Sequence, residues 1–326
     1  MNPRSLIRRM ALAGLLFGPL AASATEVTVH RWHLHSSFLM CLHQVLMSDA
    51  ARSGPREMPE LTPDERAAWL ESVEAYRAAG GSGDPSFTRP MALTTDALVQ
   101  VADDSMEPPA DAPLGEALRR AAPIYRRHAW EADDRANKFF IAYASAMLRE
   151  AGEDLVRRHE AVYRTDWPER VFVYVTPVAG RFGAYTLTRL SSGVVTTMAC
   201  RDEGYQGFRA LEMLLHESSH AIVDPNTGTV AEAIKAAAKL HGVALPRNLW
   251  HAILFATSSE LTRRELAARG VTTFTPSADD LLTRVWPEHR EPIERFWIPY
   301  LEGQGTLEEA IDRIVAAQTP STPSTD

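Results

Sequence analysis

Gly207-Phe208-Arg209-Ala210-Leu211-Glu212-Met213-Leu214-Leu215-His216-Glu217-Ser218-Ser219-His220-Ala221-Ile222-Val223-Asp224-Pro225 is the stretch on which the fold reading turns. Phe208, Leu211, Leu215 and Ile222 recur at helical spacing, which predicts an amphipathic helix starting after Gly207. It must stop at Asp224-Pro225-Asn226, because proline cannot continue the backbone ladder. On such a helix His216 and His220, four residues apart, lie on one face one turn apart, so their ring nitrogens can converge on a single Zn²⁺. Glu217 stands beside them, placed to take a proton from a zinc-bound water and so generate a hydroxide nucleophile at neutral pH.

Two protein ligands rarely hold catalytic zinc, so a third is needed. A further histidine six residues beyond His220 is absent, since that position is Asn226. The candidates downstream are Asp224, Glu232, His241, His251 and Glu260. Asp224 sits at a helix-breaking Asp-Pro, where a turn role is natural. Glu232 lies among alanines on a solvated helix face, and His241 before Gly242 reads as a helix C-terminal cation. Asn248 to Ala268 predicts a helix on which Glu260 shares a face with Ile253, Ala256 and Thr257, neighbours that bury a carboxylate unless a cation or metal meets it. His251, nine residues earlier, falls on the opposite face at about 100° per residue, so a straight helix cannot bring both to one ion. Glu260 is the third ligand expected, with His251 as the competing choice and otherwise a core or supporting histidine.

His216-Glu217-Ser218-Ser219-His220 followed some forty residues later by a helical Glu resembles the gluzincin group of zinc metallopeptidases. The stretch Ala210 to Ala221, with Trp250-His251-Ala252 and Arg263-Arg264, also resembles exported bacterial proteins of this type, and the resemblance covers about residues 170 to 265. It implies a zincin-like fold, zinc as cofactor, a peptide or protein as substrate, and substrate addition to the edge of a small sheet beside the motif helix. The strand expected at Val194 to Met198 is the one assigned that role. Gluzincins also place an Asp four residues after the ligand Glu. Here that position is Arg264, so the group that orients the first histidine must come from elsewhere. An oxyanion donor is also required, with His251, Tyr205, Tyr300 and Arg263 as candidates.

Outward from this centre, Val171-Phe172-Val173-Tyr174-Val175, Ala184-Tyr185-Thr186-Leu187 and Val194-Val195-Thr196-Thr197-Met198 are β-branched and aromatic and predict two or three strands. Ser36 to Ala51, Pro63 to Ala79, Leu114 to Arg127, Ala129 to about Tyr163, about Val230 to Leu240 and Thr306 to Ala317 carry apolar residues at helical spacing. The last opens on the capping box Thr306-Leu307-Glu308-Glu309.

The chain has 326 residues and a formal net charge of -8, with no basic run, which removes the electrostatic basis for nucleic-acid binding. Arg4, Arg8 and Arg9, the short apolar run Met10 to Ala22 and the small residues Ala22-Ser23-Ala24 form a signal-peptide pattern, too short to span a bilayer. The expectation is export to a bacterial periplasm or beyond, with no membrane span after cleavage. Cys41 and Cys200 would then meet an oxidising compartment, as one long-range bridge or as two buried thiols. His30, His33 and His35 form a second cluster, with His33 and His35 on one side of an extended segment, suited to Cu²⁺ or Zn²⁺ or else simply flanking Trp32.

The expected architecture is α+β and predominantly helical, zincin-like, with a small sheet beside the motif helix. Its organisation is a signal peptide at 1–24, a mostly helical region at 25–169, a catalytic region at 170–318 and a disordered tail at 319–326. The expected function is an exported zinc metallopeptidase with His216, His220 and Glu260 as ligands and Glu217 as general base. The alternative is a non-enzymatic exported helical binding protein whose metal site is structural or degenerate.

Overall fold

Val171–Thr176 (β3) is buried along nearly its whole length, as the continuous Val-Phe-Val-Tyr-Val run requires of a strand covered on both faces. The computed structural model describes residues 26–52, 60–83 and 88–318; the signal-peptide and tail segments expected at 1–24 and 319–326 lie outside them. β3 is the middle of a five-stranded sheet. Glu26–Val29 (β1) and Trp32–His35 (β2) form an antiparallel hairpin whose β2 pairs parallel to β3. Gly193–Ala199 (β5) lies parallel on the other side of β3, and Ala184–Leu190 (β4) closes the sheet antiparallel to β5. The order is β1-β2-β3-β5-β4. Two strands therefore come from the stretch read as a separate N-terminal region, and the boundary expected at 169/170 runs through one sheet.

Alternate residues of the strands enter two different cores. Tyr174, Tyr185, Leu187 and Val195 face Phe38–Ala51 (α1), Pro63–Ala78 (α2), Arg89–Val99 (α3) and Gly115–His128 (α4). Trp32, Leu34, Val171, Val173, Val175 and Met198 face the long helix Trp130–Tyr163 (α5) together with Phe208–Ser219 (α6) and Leu249–Ala268 (α8). Between the last two runs Gly228–His241 (α7). Ser277–Arg284 (α9), Pro287–Pro292 (α10), a π-helical turn at Ile293–Trp297, Ile298–Leu301 (α11) and Leu307–Ala317 (α12) complete the chain. The molecule is thus mostly helical with a small mixed sheet, an α+β arrangement. Among the described residues no helix is long and apolar enough to cross a membrane.

The motif helix α6 is built into this frame on every side. Trp32 of β2, fully buried, donates its indole N–H to Ser218 Oγ at 3.0 Å, so the first variable position of the His-Glu-Ser-Ser-His motif serves as an anchor to the sheet. The Ser219 hydroxyl turns back to the Leu215 carbonyl at 2.6 Å. Glu212, one turn before His216, is buried, yet it accepts from the Ser277 backbone N–H and hydroxyl, both at 2.8 Å, and from the Ser259 hydroxyl. A buried carboxylate is tolerated only with such donors, and this one ties α6 to α8 and to the start of α9.

Candidate metal centre

His216 is the last-turn residue of α6 and fully enclosed, while His220 is its C-cap, in helical backbone geometry. The i,i+4 relation therefore survives although the regular helix ends at Ser219, earlier than the Asp-Pro stop. Their ring centroids are 5.1 Å apart. The third side chain to arrive is His251, from the first turn of α8. Its Nε2 is 3.4 Å from His216 Nε2, and its ring is 5.2 Å from that of His220. One nitrogen from each of His216, His220 and His251 lies within 4.8 Å of the others. Two nitrogens each bound to zinc at ~2.0–2.1 Å in tetrahedral geometry stand about 3.3 Å apart, the span already present between His216 and His251.

All three imidazoles are held neutral, the form a metal ligand requires. Burial drives His216 well below its ordinary value, with the neighbouring His220, His251 and His159 adding to the effect. Burial lowers His220 to about 4 against the opposing pull of Asp224, and lowers His251 to about 3, with His220 contributing. Aromatic rings wall the cluster. Phe255 stacks on His216, Trp250 stacks on His251, and Trp286 lies against both His251 and Phe255. His216 Nδ1 is buried without a hydrogen-bond partner among the described residues, so no second group orients this histidine in the way the gluzincin pattern implies.

Glu260 is not brought to this cluster. It lies nine residues beyond His251 on the same helix, which at 1.5 Å per residue is roughly 13 Å along the axis and half a turn around it. Its partners are Arg263, at 2.6 Å, and Arg264, at 2.5 Å. Burial alone would raise its pKa, but the hydrogen bonds from these guanidiniums outweigh that and hold it below the usual carboxylate range. The cation that a partly buried Glu260 requires is therefore the arginine pair one turn downstream, and the third member of the cluster is His251.

The remaining candidates fall where simpler roles suffice. Asp224 accepts from the backbone N–H groups of Asn226, at 2.7 Å, and Thr227, at 3.2 Å, closing the turn after α6, and its other oxygen meets Arg189 at 3.1 Å. Glu232 is exposed on α7, and His241 pairs with Asp312 at 2.8 Å. His30, His33 and His35 go to separate carboxylates, Glu153, Glu26 and Asp103, at 3.6, 3.1 and 3.0 Å, rather than to one another. Cys41 and Cys200 are free, buried thiols that flank one amide. Asn137 Nδ2 donates to Cys41 Sγ at 3.2 Å, and the Cys200 thiol donates to Asn137 Oδ1 at 3.1 Å.

Glu217 packs between α6 and the sheet, almost fully buried, and accepts a hydrogen bond from Thr186 Oγ1 of β4 at 2.8 Å. Of the four oxyanion candidates, Tyr300 donates to the Val162 carbonyl at 2.6 Å, Arg263 is committed to Glu260 and His251 belongs to the cluster. Tyr205 lies near enough to Glu217 that the carboxylate adds to burial, the larger cause, in pushing its hydroxyl above the ordinary range; that hydroxyl donates to the Phe182 carbonyl. The strand assigned to substrate is also corrected. β5 has β3 on one side and β4 on the other, so both its edges are occupied, and the open edge beside α6 is β4. Thr186, Trp32 and Trp286 carry no local sequence signal that assigns them to the site. Strand alternation could have placed Thr186 on a face, but nothing local names its partner. No protein-family model, curated protein or solved structure matches the chain.

Proposed function

We propose that the protein is a zinc-dependent metallopeptidase whose metal is held by His216, His220 and His251, with Glu217 as general base. The convergence of three neutral imidazole nitrogens within 4.8 Å, next to a buried glutamate on the same helix, carries this reading. Three histidines leave one position of a tetrahedral ion for water or substrate, the arrangement of a catalytic rather than a closed structural site. Zinc, when bound, would supply Lewis acidity and a water acidified toward neutral pH. Glu217 would take that water's proton and deliver it to the leaving nitrogen. An extended peptide would add to the free edge of β4, its backbone groups satisfied by the strand and its side chains alternating toward and away from the sheet. Trp250 and Phe255, partly exposed beside His220 and His251, offer an apolar surface at the same place. This reading keeps the hydrolytic chemistry expected from the motif and departs from the gluzincin ligand set.

Elemental analysis of protein purified without chelator should find about one zinc per chain, lost in His216→Ala, His220→Ala and His251→Ala and kept in Glu260→Ala. Zinc loss in Glu260→Ala with retention in His251→Ala would reverse the ligand assignment. Glu217→Gln should keep zinc while hydrolysis of a denatured-protein library falls by about 10²–10⁴-fold. A metal-loaded wild type that cleaves nothing in that library, with chelator as control, would leave a non-enzymatic binding protein as the better account.

A further inference from the structure

Thr186 and Thr196 sit directly opposite each other in the β4–β5 ladder, on the sheet face turned toward α6, since their neighbours Tyr185, Leu187 and Val195 enter the core on the other face. Their hydroxyl oxygens are 2.9 Å apart, and Thr186 Oγ1 is 2.8 Å from Glu217 Oε2. With Glu217 ionised, as its proposed role as a base requires, the carboxylate only accepts, so Thr186 gives it its single proton and the contact between the two threonines is a donation from Thr196 to Thr186. The three groups form a directed chain from β5 through β4 to the motif helix. It lies in the regular stretch Ala184–Leu187, after Gly183 and before the register irregularity between Leu187 and Leu190.

We infer that Thr186 is a positioning residue for Glu217, with Thr196 locking its rotamer, so that the strand receiving the substrate backbone is also the strand that fixes the base. This rests on the hydrolytic reading of the site. A cross-strand threonine pair joined by one hydrogen bond leaves one hydroxyl proton over, and here Glu217 is its acceptor. The buried carboxylate in turn needs donors, and β4 provides one. Because general-base catalysis is lost when the base moves by about an ångström, one hydroxyl on the edge strand controls turnover without touching the metal.

Thr186→Val, Thr186→Ser and Thr196→Val test this in the zinc-loaded full chain, with dye-labelled unfolded casein as probe. Valine keeps the branched shape and the strand preference while removing the hydroxyl. Thr186→Val should retain zinc and the native fold but lose about ten- to a hundred-fold in kcat with KM nearly unchanged, and Thr186→Ser should restore most of it. Thr196→Val should lose severalfold. A crystal structure of metal-free Thr186→Val should show the Glu217 carboxylate displaced from its wild-type position. Wild-type turnover in Thr186→Val, or an unmoved carboxylate, overturns the inference while leaving the hydrolytic reading intact. Inactivity of zinc-loaded wild type on the probe overturns both. If Thr186→Val does not fold, an unaltered kcat in Thr196→Val together with no recovery in Thr186→Ser overturns it instead.

Discussion

Gly183 opens β4 with φ of 84°, a conformation that costs a residue with a side chain substantially more than glycine. A Cβ there would stand 2.4 Å from Asp202 Oδ2 and 2.5 Å from Tyr205 Cε2. The Asp202 and Tyr205 segment wraps the start of the edge strand, with Gly183's carbonyl accepting from the Ala199 N–H at 2.8 Å. Gly183→Ala should therefore lower unfolding free energy by about 1–3 kcal/mol, from the left-handed backbone and the displaced neighbours together. Urea titration of the variant against wild type measures it, and a loss below a few tenths of a kcal/mol would show that the loop yields freely. At Glu260 the neighbouring residues require a partly buried carboxylate to be neutralised, and only its contacts with Arg263 and Arg264 say by what.

Among the elements, α1 carries a proton-linked contribution to stability. His43 is wholly buried where α1 meets α2 and α3, with Nδ1 2.8 Å from the Tyr76 hydroxyl and Nε2 3.2 Å from Thr95 Oγ1. Burial pushes its pKa from an ordinary 6.5 to about 3. Between those two values the unfolded chain binds a proton that the folded protein refuses. The contribution is therefore complete above pH 6.5 and is lost progressively as pH falls toward 3, by up to ~1.4 kcal/mol per pH unit. His43→Gln has no such proton to bind, so its unfolding free energy should fall by about 2 kcal/mol less than that of wild type between pH 7 and pH 5. Equal losses in the two proteins would contradict the assignment. A second element-scale constraint lies in α5, where a Cβ on Gly152 would come 3.0 Å from Trp32 Cζ3, the indole that also anchors Ser218 of α6.

At the scale of the molecule, the sheet joins the two halves of the sequence. β2 from the first is the parallel neighbour of β3 from the second, and α5 covers the face on which α6 and α8 lie. A fragment comprising residues 170–318 would expose the β3 edge, lose the α1–α4 layer from one face of the sheet and lose α5 from the other, leaving β-branched, apolar surface uncovered. Expressed alone it should be aggregated or protease-sensitive and should bind no zinc, whereas the chain from Thr25 should resist limited proteolysis as one unit. A soluble fragment with cooperative thermal unfolding would show that the region is an independent domain.

The sequence by itself determined whatever one element's geometry controls. The four-residue spacing put His216 and His220 on one helix face with Glu217 beside them, apolar periodicity located most of the helices, and β-branched runs marked β3, β4 and β5. The hairpin β1–β2 and the helices α3 and α9 to α11 do not stand out in the sequence, being segments of four to eleven residues over which a strand or helix period repeats too few times to be distinctive. Tertiary structure decided every choice of partner. It brought His251 rather than Glu260 beside His216 and His220 because the first turn of α8 lies beside the end of α6, and it made β4 the edge because β5 is paired on both sides. It also joined Thr186 to Glu217 across 31 positions of sequence. Spacing along a helix or strand is a property of local backbone geometry and is written in the order of residues. Which elements lie side by side is settled by the simultaneous packing of both cores, and no short stretch of sequence contains that information.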